Sequence, residues 1–144
     1  MKANENYSVE IVGAASDGRG IARVDGQVLF VPGALPGERC LVCVVNIGKT
    51  AAHGKLLRVE AASPHRIEPD CPYFPACGGC DFRHMDYAME LDLKRQRVLD
   101  ALNRIGSCAL ETLEITGAAE QEGYGNKVQY PVQEQNGRAE AGFF

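Results

Sequence analysis

Three thiols crowd the stretch Cys71-Pro72-Tyr73-Phe74-Pro75-Ala76-Cys77-Gly78-Gly79-Cys80, in a Cys-x5-Cys-x2-Cys spacing. Thiolates at this density form a donor set for a soft metal, provided that the backbone lets the sulfurs converge. Gly78 and Gly79 supply the φ > 0 freedom that such a turn needs, while Pro72 and Pro75 exclude a helix interior. Iron–sulfur clusters and closed zinc sites take four ligands, so a fourth donor is required. Within the chain the candidates are Cys40, Cys43, Cys108, His53, His65 and His84.

Cys40 and Cys43 form a second Cys-x2-Cys, but they sit in Glu38-Arg39-Cys40-Leu41-Val42-Cys43-Val44-Val45, whose apolar, β-branched content reads as a strand. Residues three apart on a strand face opposite ways, so these two read as packing thiols rather than co-ligands. Cys108 follows a predicted helix end and has no companion. Lys94, Arg95, Arg97 and Arg104 read as a solvated helix face near a C-terminus, where the helix dipole favours cations.

The elements that must position these groups follow from pattern. The chain has 144 residues and a net charge of −4. Residues 1–70 balance eight basic against eight acidic side chains, and residues 71–144 carry seven against eleven. Charge alone therefore marks no basic nucleic-acid footprint. No apolar run reaches the ~20 residues that span a bilayer, and the first residues lack the apolar core of a secretory signal. A reducing cytoplasm fits the six cysteines better than an exported disulfide scaffold.

Residues 7–60 read as all-β, with strands over 7–12, 21–24, 27–31, 39–45 and 51–59, and Asp25-Gly26 marks a type I′ hairpin. Five short strands without a helix suggest a small OB-like barrel. Residues 61–70 read as a linker. A helix is predicted from an N-cap at Asp86 to Gly106, with Ala88, Leu91, Val98, Leu102 and Ile105 as one buried stripe. Asn136-Gly137 marks another hairpin, and the chain stops on Phe143 and Phe144 in mid-strand, which reads as a fragment. The division is 1–62, 63–84 and 85–144.

The order of these motifs resembles one family. Gly18-Arg19-Gly20-Ile21-Ala22-Arg23 is followed by Val28 to Glu38, the Cys-x5-Cys-Gly-Gly-Cys loop, a helix, and Tyr124-Gly125-Asn126-Lys127 ahead of Pro131-Val132. This resembles the N-terminal part, a TRAM domain plus iron–sulfur loop, of the bacterial 23S rRNA (uracil-5-)-methyltransferases. The resemblance implies a [4Fe–4S] cluster on Cys71, Cys77 and Cys80, with the fourth cysteine beyond Phe144. It implies RNA, 23S ribosomal RNA above all, as the partner, with no membrane and no obligate protein partner. S-adenosylmethionine and every catalytic residue would belong to a Rossmann-like domain absent from this chain, so no catalytic or cofactor-binding residue is assigned. The family's chemistry is cysteine addition to C6 of uracil, methyl transfer to C5 and proton removal by a base.

The same resemblance makes Arg19, Arg23, Lys49, Lys55 and Arg58 candidates for phosphate contact and Phe30 for base stacking, with Phe30 otherwise a core residue. Lys127 joins them from the Tyr-x-Asn-Lys motif, where Gly125 replaces the family's arginine. The alternative is a stand-alone OB-type RNA-binding module with a zinc or redox-sensing cysteine loop. Methylation needs no net redox step, so the expected role of the cluster is to fix the loop between its neighbours.

Overall fold

A computed structural model describes residues 1–142. Six strands form one sheet: β1 (Asn6–Glu10), β2 (Gly13–Ala14), β3 (Gly20–Val24), β4 (Gln27–Val31), β5 (Arg39–Ile47) and β6 (Ala51–Ala61). Their order is β1-β5-β6-β4-β3-β2, antiparallel throughout except for the β4–β6 pair. The sequence predicts five strands here. The difference lies in residues 7–12, which do not form one strand: the chain changes partners at Ile11 and Val12. The Ile11 amide donates to the Glu38 carbonyl at 2.9 Å, whereas the Val12 amide donates to the Ile21 carbonyl at 2.8 Å. Two residues thus join the two ends of the strand order, and the sheet rolls onto itself.

Alternation selects the inside of the roll. Val9, Ile11, Ala22, Leu29, Val31, Cys40, Val42, Val44 and Ala52 pack with Ala34 into one buried cluster. The roll is tight at Gly54, where a Cβ would fall 2.3 Å from Val42 Cγ1. Asp25 and Gly26 both take positive φ, 52° and 79°, as the Asp-Gly hairpin requires.

One buried polar group ties this sheet to the segment after it. Glu38 is fully buried. Its carboxylate accepts from Arg66 Nε at 2.5 Å and Nη2 at 2.8 Å, and from the Leu35 and Ser63 amides at 2.9 and 3.3 Å. Arg66 Nη2 also donates to the Gly33 carbonyl at 2.6 Å. Residues 65–67 then meet 84–86: the Ile67 amide donates to the His84 carbonyl, the Asp86 amide to the His65 carbonyl, and Arg66 bridges to Met85. Between these pairings the chain makes a closed excursion that carries all three loop cysteines.

The helix α1 (Tyr87–Arg104) starts where predicted, with the Asp86 carboxylate accepting from the Met89 amide at 2.8 Å. The predicted buried stripe does not hold. Val98, Leu102 and Ile105 are exposed, Ile105 at 85%, and Leu99 is the one buried residue of the helix at 7%. The covered line is instead Tyr87, Leu91, Arg95, Leu99 and Asn103, at i+4 spacing. The chain that leaves α1 folds back along it. Asn103 exchanges two bonds with the Leu110 backbone at 2.8 and 2.9 Å, Arg95 reaches Thr112 Oγ1 at 3.2 Å, and Tyr87 Oη accepts from the Ala118 amide at 2.8 Å. Polar residues hold this return segment, so apolar periodicity does not reveal it.

Strands β7 (Val132–Gln135) and β8 (Arg138–Ala141) pair separately around Asn136 and Gly137, both at positive φ, and are almost wholly exposed. The expected continuation through Phe143 and Phe144 lies outside the described residues. No helix among the described residues is long and apolar enough to cross a membrane.

Candidate nucleic-acid interface and cysteine loop

The outer face of the sheet follows from the same alternation. Ile21 and Arg23 on β3, Val28 and Phe30 on β4, His53 and Lys55 on β6, and Leu41 and Cys43 on β5 point outward. A register shift at Leu57 keeps Arg58 on that face, opposite Leu41. Arg23 stands opposite Val28, and Lys55 opposite Cys43.

Phe30 is therefore half-buried on the outside, not in the core. The Arg19 guanidinium lies over its ring, 4.7 Å from the centroid, and the His53 ring lies 5.7 Å away across the parallel pair. Arg19 Nη1 is 3.4 Å from His53 Nδ1, and Asp17 holds the guanidinium in a fork at 2.8 Å. Hydrogen bonds from Arg19 hold the Asp17 carboxyl below the ordinary aspartate range. Arg19, Arg23, Lys55 and Arg58 thus share one face with an aromatic pair at its centre. His53, read from the sequence only as a possible metal ligand, belongs to this face; the parallel register that places it beside Phe30 has no local sequence signal.

Two candidates stand elsewhere. Lys49 is exposed in the turn between β5 and β6. Lys127 is exposed in the irregular segment between α1 and β7, outside the sheet. The helix cations are engaged locally: Lys94 with Glu90, Arg95 with Asp92, Arg104 with Asp100 at 3.9 Å, and Arg97 with the Ser16 carbonyl at 3.5 Å.

The cysteine loop is clamped at its neck. Arg83 makes a two-pronged bond to Asp70, at 2.7 and 2.9 Å, and reaches Glu122 at 2.9 Å. Inside, the Phe74 amide donates to Cys71 O and the Cys77 amide to Tyr73 O, and Gly78 takes φ 68°. The loop touches the sheet at Gly18, φ 79°, where a Cβ would fall 3.0 Å from both Asp81 O and Phe82 Cε1. Only glycine fits that corner.

All six cysteines are free. Cys71, Cys77 and Cys80 lie in this one loop, and as a donor set three thiols suit a soft metal. Their arrangement does not close on an ion: no three Cys, His, Asp or Glu side chains among the described residues are grouped to hold one. The other candidate ligands are occupied or remote. Burial, reinforced by the Glu38 charge, pushes the Cys40 thiol up to about 11, so it is a packing group, and Cys43 faces the opposite side of β5. His65 bonds Asp86 at 2.8 Å, and Cys108 is exposed beyond α1. His84 is 4% exposed and stacks on Phe74 with centroids 5.7 Å apart.

The TRAM domain model matches residues 2–57, the rolled sheet almost to its end. The chain carries a TRAM domain. Beyond it, similarity to RNA methyltransferases runs along the whole chain. It is 44% identical over 145 residues to an uncharacterized RNA methyltransferase of Halalkalibacterium halodurans, covering 100% of this chain and 32% of that protein. It is 38% identical over 144 residues to another from Clostridium tetani, covering 100% of this chain and 31% of that one. The chain thus spans about a third of the length of the curated relatives it matches. A solved tRNA (uracil-54, C5)-methyltransferase of Pyrococcus abyssi, in complex with S-adenosyl-L-homocysteine, aligns with a TM-score of 0.45 at 24% identity, over 78% of this chain and 24% of that one.

Proposed function

We propose that this chain is the RNA-gripping and cluster-bearing portion of an RNA methyltransferase that forms 5-methyluridine, with 23S ribosomal RNA as substrate and the cytoplasm as its setting. The observation that carries the RNA reading is the Arg19–Phe30–His53 group on the outer face of the TRAM domain, flanked by Arg23, Lys55 and Arg58. Cations on this face take phosphates, and the Arg19 guanidinium stacked on Phe30 offers its plane to an unstacked base. The acidic balance of the chain does not oppose this, because the negative excess lies after residue 70 while the interface lies before it. The full-length relatives do not favour a stand-alone module.

S-adenosylmethionine and the methyl-transfer residues belong to the rest of such an enzyme, so this portion supplies affinity and orientation. Uracil C5 as the target rests on the order of motifs, from Gly18-Arg19-Gly20 through the cysteine loop to Asn126-Lys127. The decisive experiment is fluorescence anisotropy of a single-stranded ribosomal RNA fragment with the R23E/K55E variant. Affinity is expected to fall at least tenfold, and removing the two cations is expected to lower the slope of log K against log salt by about 2. Unchanged affinity and slope would move the RNA interface off this face.

Cys71, Cys77 and Cys80 are the proposed ligands of a [4Fe–4S] cluster, with a fourth donor outside this chain. When bound, the group supplies cross-links that fix the loop. The Gly78 turn, at φ 68°, bends the backbone between Cys77 and Cys80, while the Arg83–Asp70 clamp holds the ends. Anaerobic preparation of the full-length protein is expected to yield iron and sulfide in equal amounts, both lost in C77S. Zinc without sulfide would overturn the assignment.

A further inference from the structure

Between the TRAM sheet and the cysteine loop lies a cleft of about 750 Å³, a size ordinary for small-molecule and nucleoside sites. Its walls are largely apolar, with Pro32, Ile67, Phe74 and Pro75 among them, and Arg19 stands where it meets the outer face. His84 also lines it, 4% exposed, and neither of its ring nitrogens has a hydrogen-bond partner. A buried imidazole without partners costs stability, so its retention asks for an explanation. Burial, then the nearby Arg66 charge, lowers its proton affinity, and the neutral ring carries one donor and one acceptor.

The charged residues of the cleft narrow the ligand. Arg66 is committed to Glu38 and to the Gly33 carbonyl, and Arg19 to Asp17, so neither is free for an isolated anion. Asp17, Glu68 and Asp81 also line the cleft and disfavour an anion, so what remains is a mostly apolar space, edged by carboxylates, with one unsatisfied donor and one unsatisfied acceptor on His84. We infer that this cleft takes a single unstacked nucleobase with its ribose, whose edge and hydroxyl satisfy the ring nitrogens of His84. Phe74, which shields that ring, belongs to the loop and gives way as the base enters. Arg19 spans both surfaces, so a strand lying along Arg23, Phe30 and Lys55 delivers its next base here. The inference rests on the RNA reading of the outer face and adds to it a pocket for one unstacked base.

The test pairs cross-linking with substitution. A single-stranded RNA bearing 4-thiouridine at successive positions, irradiated with the wild-type chain, is expected to give one position whose cross-link maps to Phe74, His84 or Arg19. His84→Phe keeps the ring stack and removes both nitrogens. It is expected to weaken RNA binding about tenfold, the effect of one to two hydrogen bonds, while raising thermal stability; His84→Asn, which restores a donor and an acceptor, is expected to recover part of the affinity. Free uridine or adenosine that suppresses the cross-link assigns the pocket to nucleosides in general, whereas suppression by oligonucleotide alone assigns it to the strand. His84→Phe with wild-type affinity and raised stability overturns the inference. Should the wild type bind no RNA, the outer-face reading fails, and the nucleoside arm decides the pocket separately.

Discussion

Glu38 shows how one side chain sets a condition for the whole sheet. Burial pushes its carboxyl up, but the bonds from Arg66 and from the Leu35 and Ser63 amides outweigh that, so the group ionises below the ordinary glutamate range. A depressed folded-state value means stability that is present above the unfolded value, near 4.3, and lost as pH falls through the folded one. E38Q removes the charge that answers the Arg66 guanidinium. At pH 7 it is expected to cost about 3 kcal/mol in denaturant unfolding. Its melting temperature should also fall less steeply than wild type between pH 5 and 3; parallel acid limbs would count against the ion pair. None of this was legible beforehand, because Glu38 and Arg66 are separated by a hairpin and a linker, and a buried carboxylate carries no pattern. The three loop thiols were legible as types and spacing, but whether they draw together is a matter of backbone path. His84 entered as a possible ligand, and no sequence signal announces that a histidine will be buried without partners.

At the scale of elements, the turns were the surest guide. Asp25-Gly26 and Asn136-Gly137 each force a conformation that most residues resist, so both hairpins form where the dipeptides stand. Strand 7–12 failed for a three-dimensional reason: a rolled sheet needs its first strand to serve both borders, and the break at Ile11 and Val12 is invisible to alternation. For α1 the cap was readable and the packing face was not. Asp86 closes the helix start through the Met89 amide and also holds His65, joining the helix to the loop neck. D86A is therefore expected to cost about 1 kcal/mol, with faster amide exchange at Met89 and at the 65–67 pairing. Exchange confined to the first helical turn would limit Asp86 to capping.

Across the whole molecule, the neck at 65–67 and 84–86, the Arg83 fork and the Glu38–Arg66 pair fasten the cysteine excursion to the rolled sheet. The mainly-β character was readable because short alternating segments with turn residues between them read as strands. How the loop and helix attach was not, since it depends on long-range polar pairs. Arg19 belongs both to the stack on Phe30 and to the lining of the cleft, so the outer face and the cleft adjoin. The roll carries one more consequence. Its borders are the five residues of β1 and the two of β2, so little unpaired backbone is available for an invading peptide. Among the described residues the β7–β8 ribbon pairs with no further strand. Strand exchange between copies of this chain would therefore begin at that ribbon and leave the rolled sheet folded.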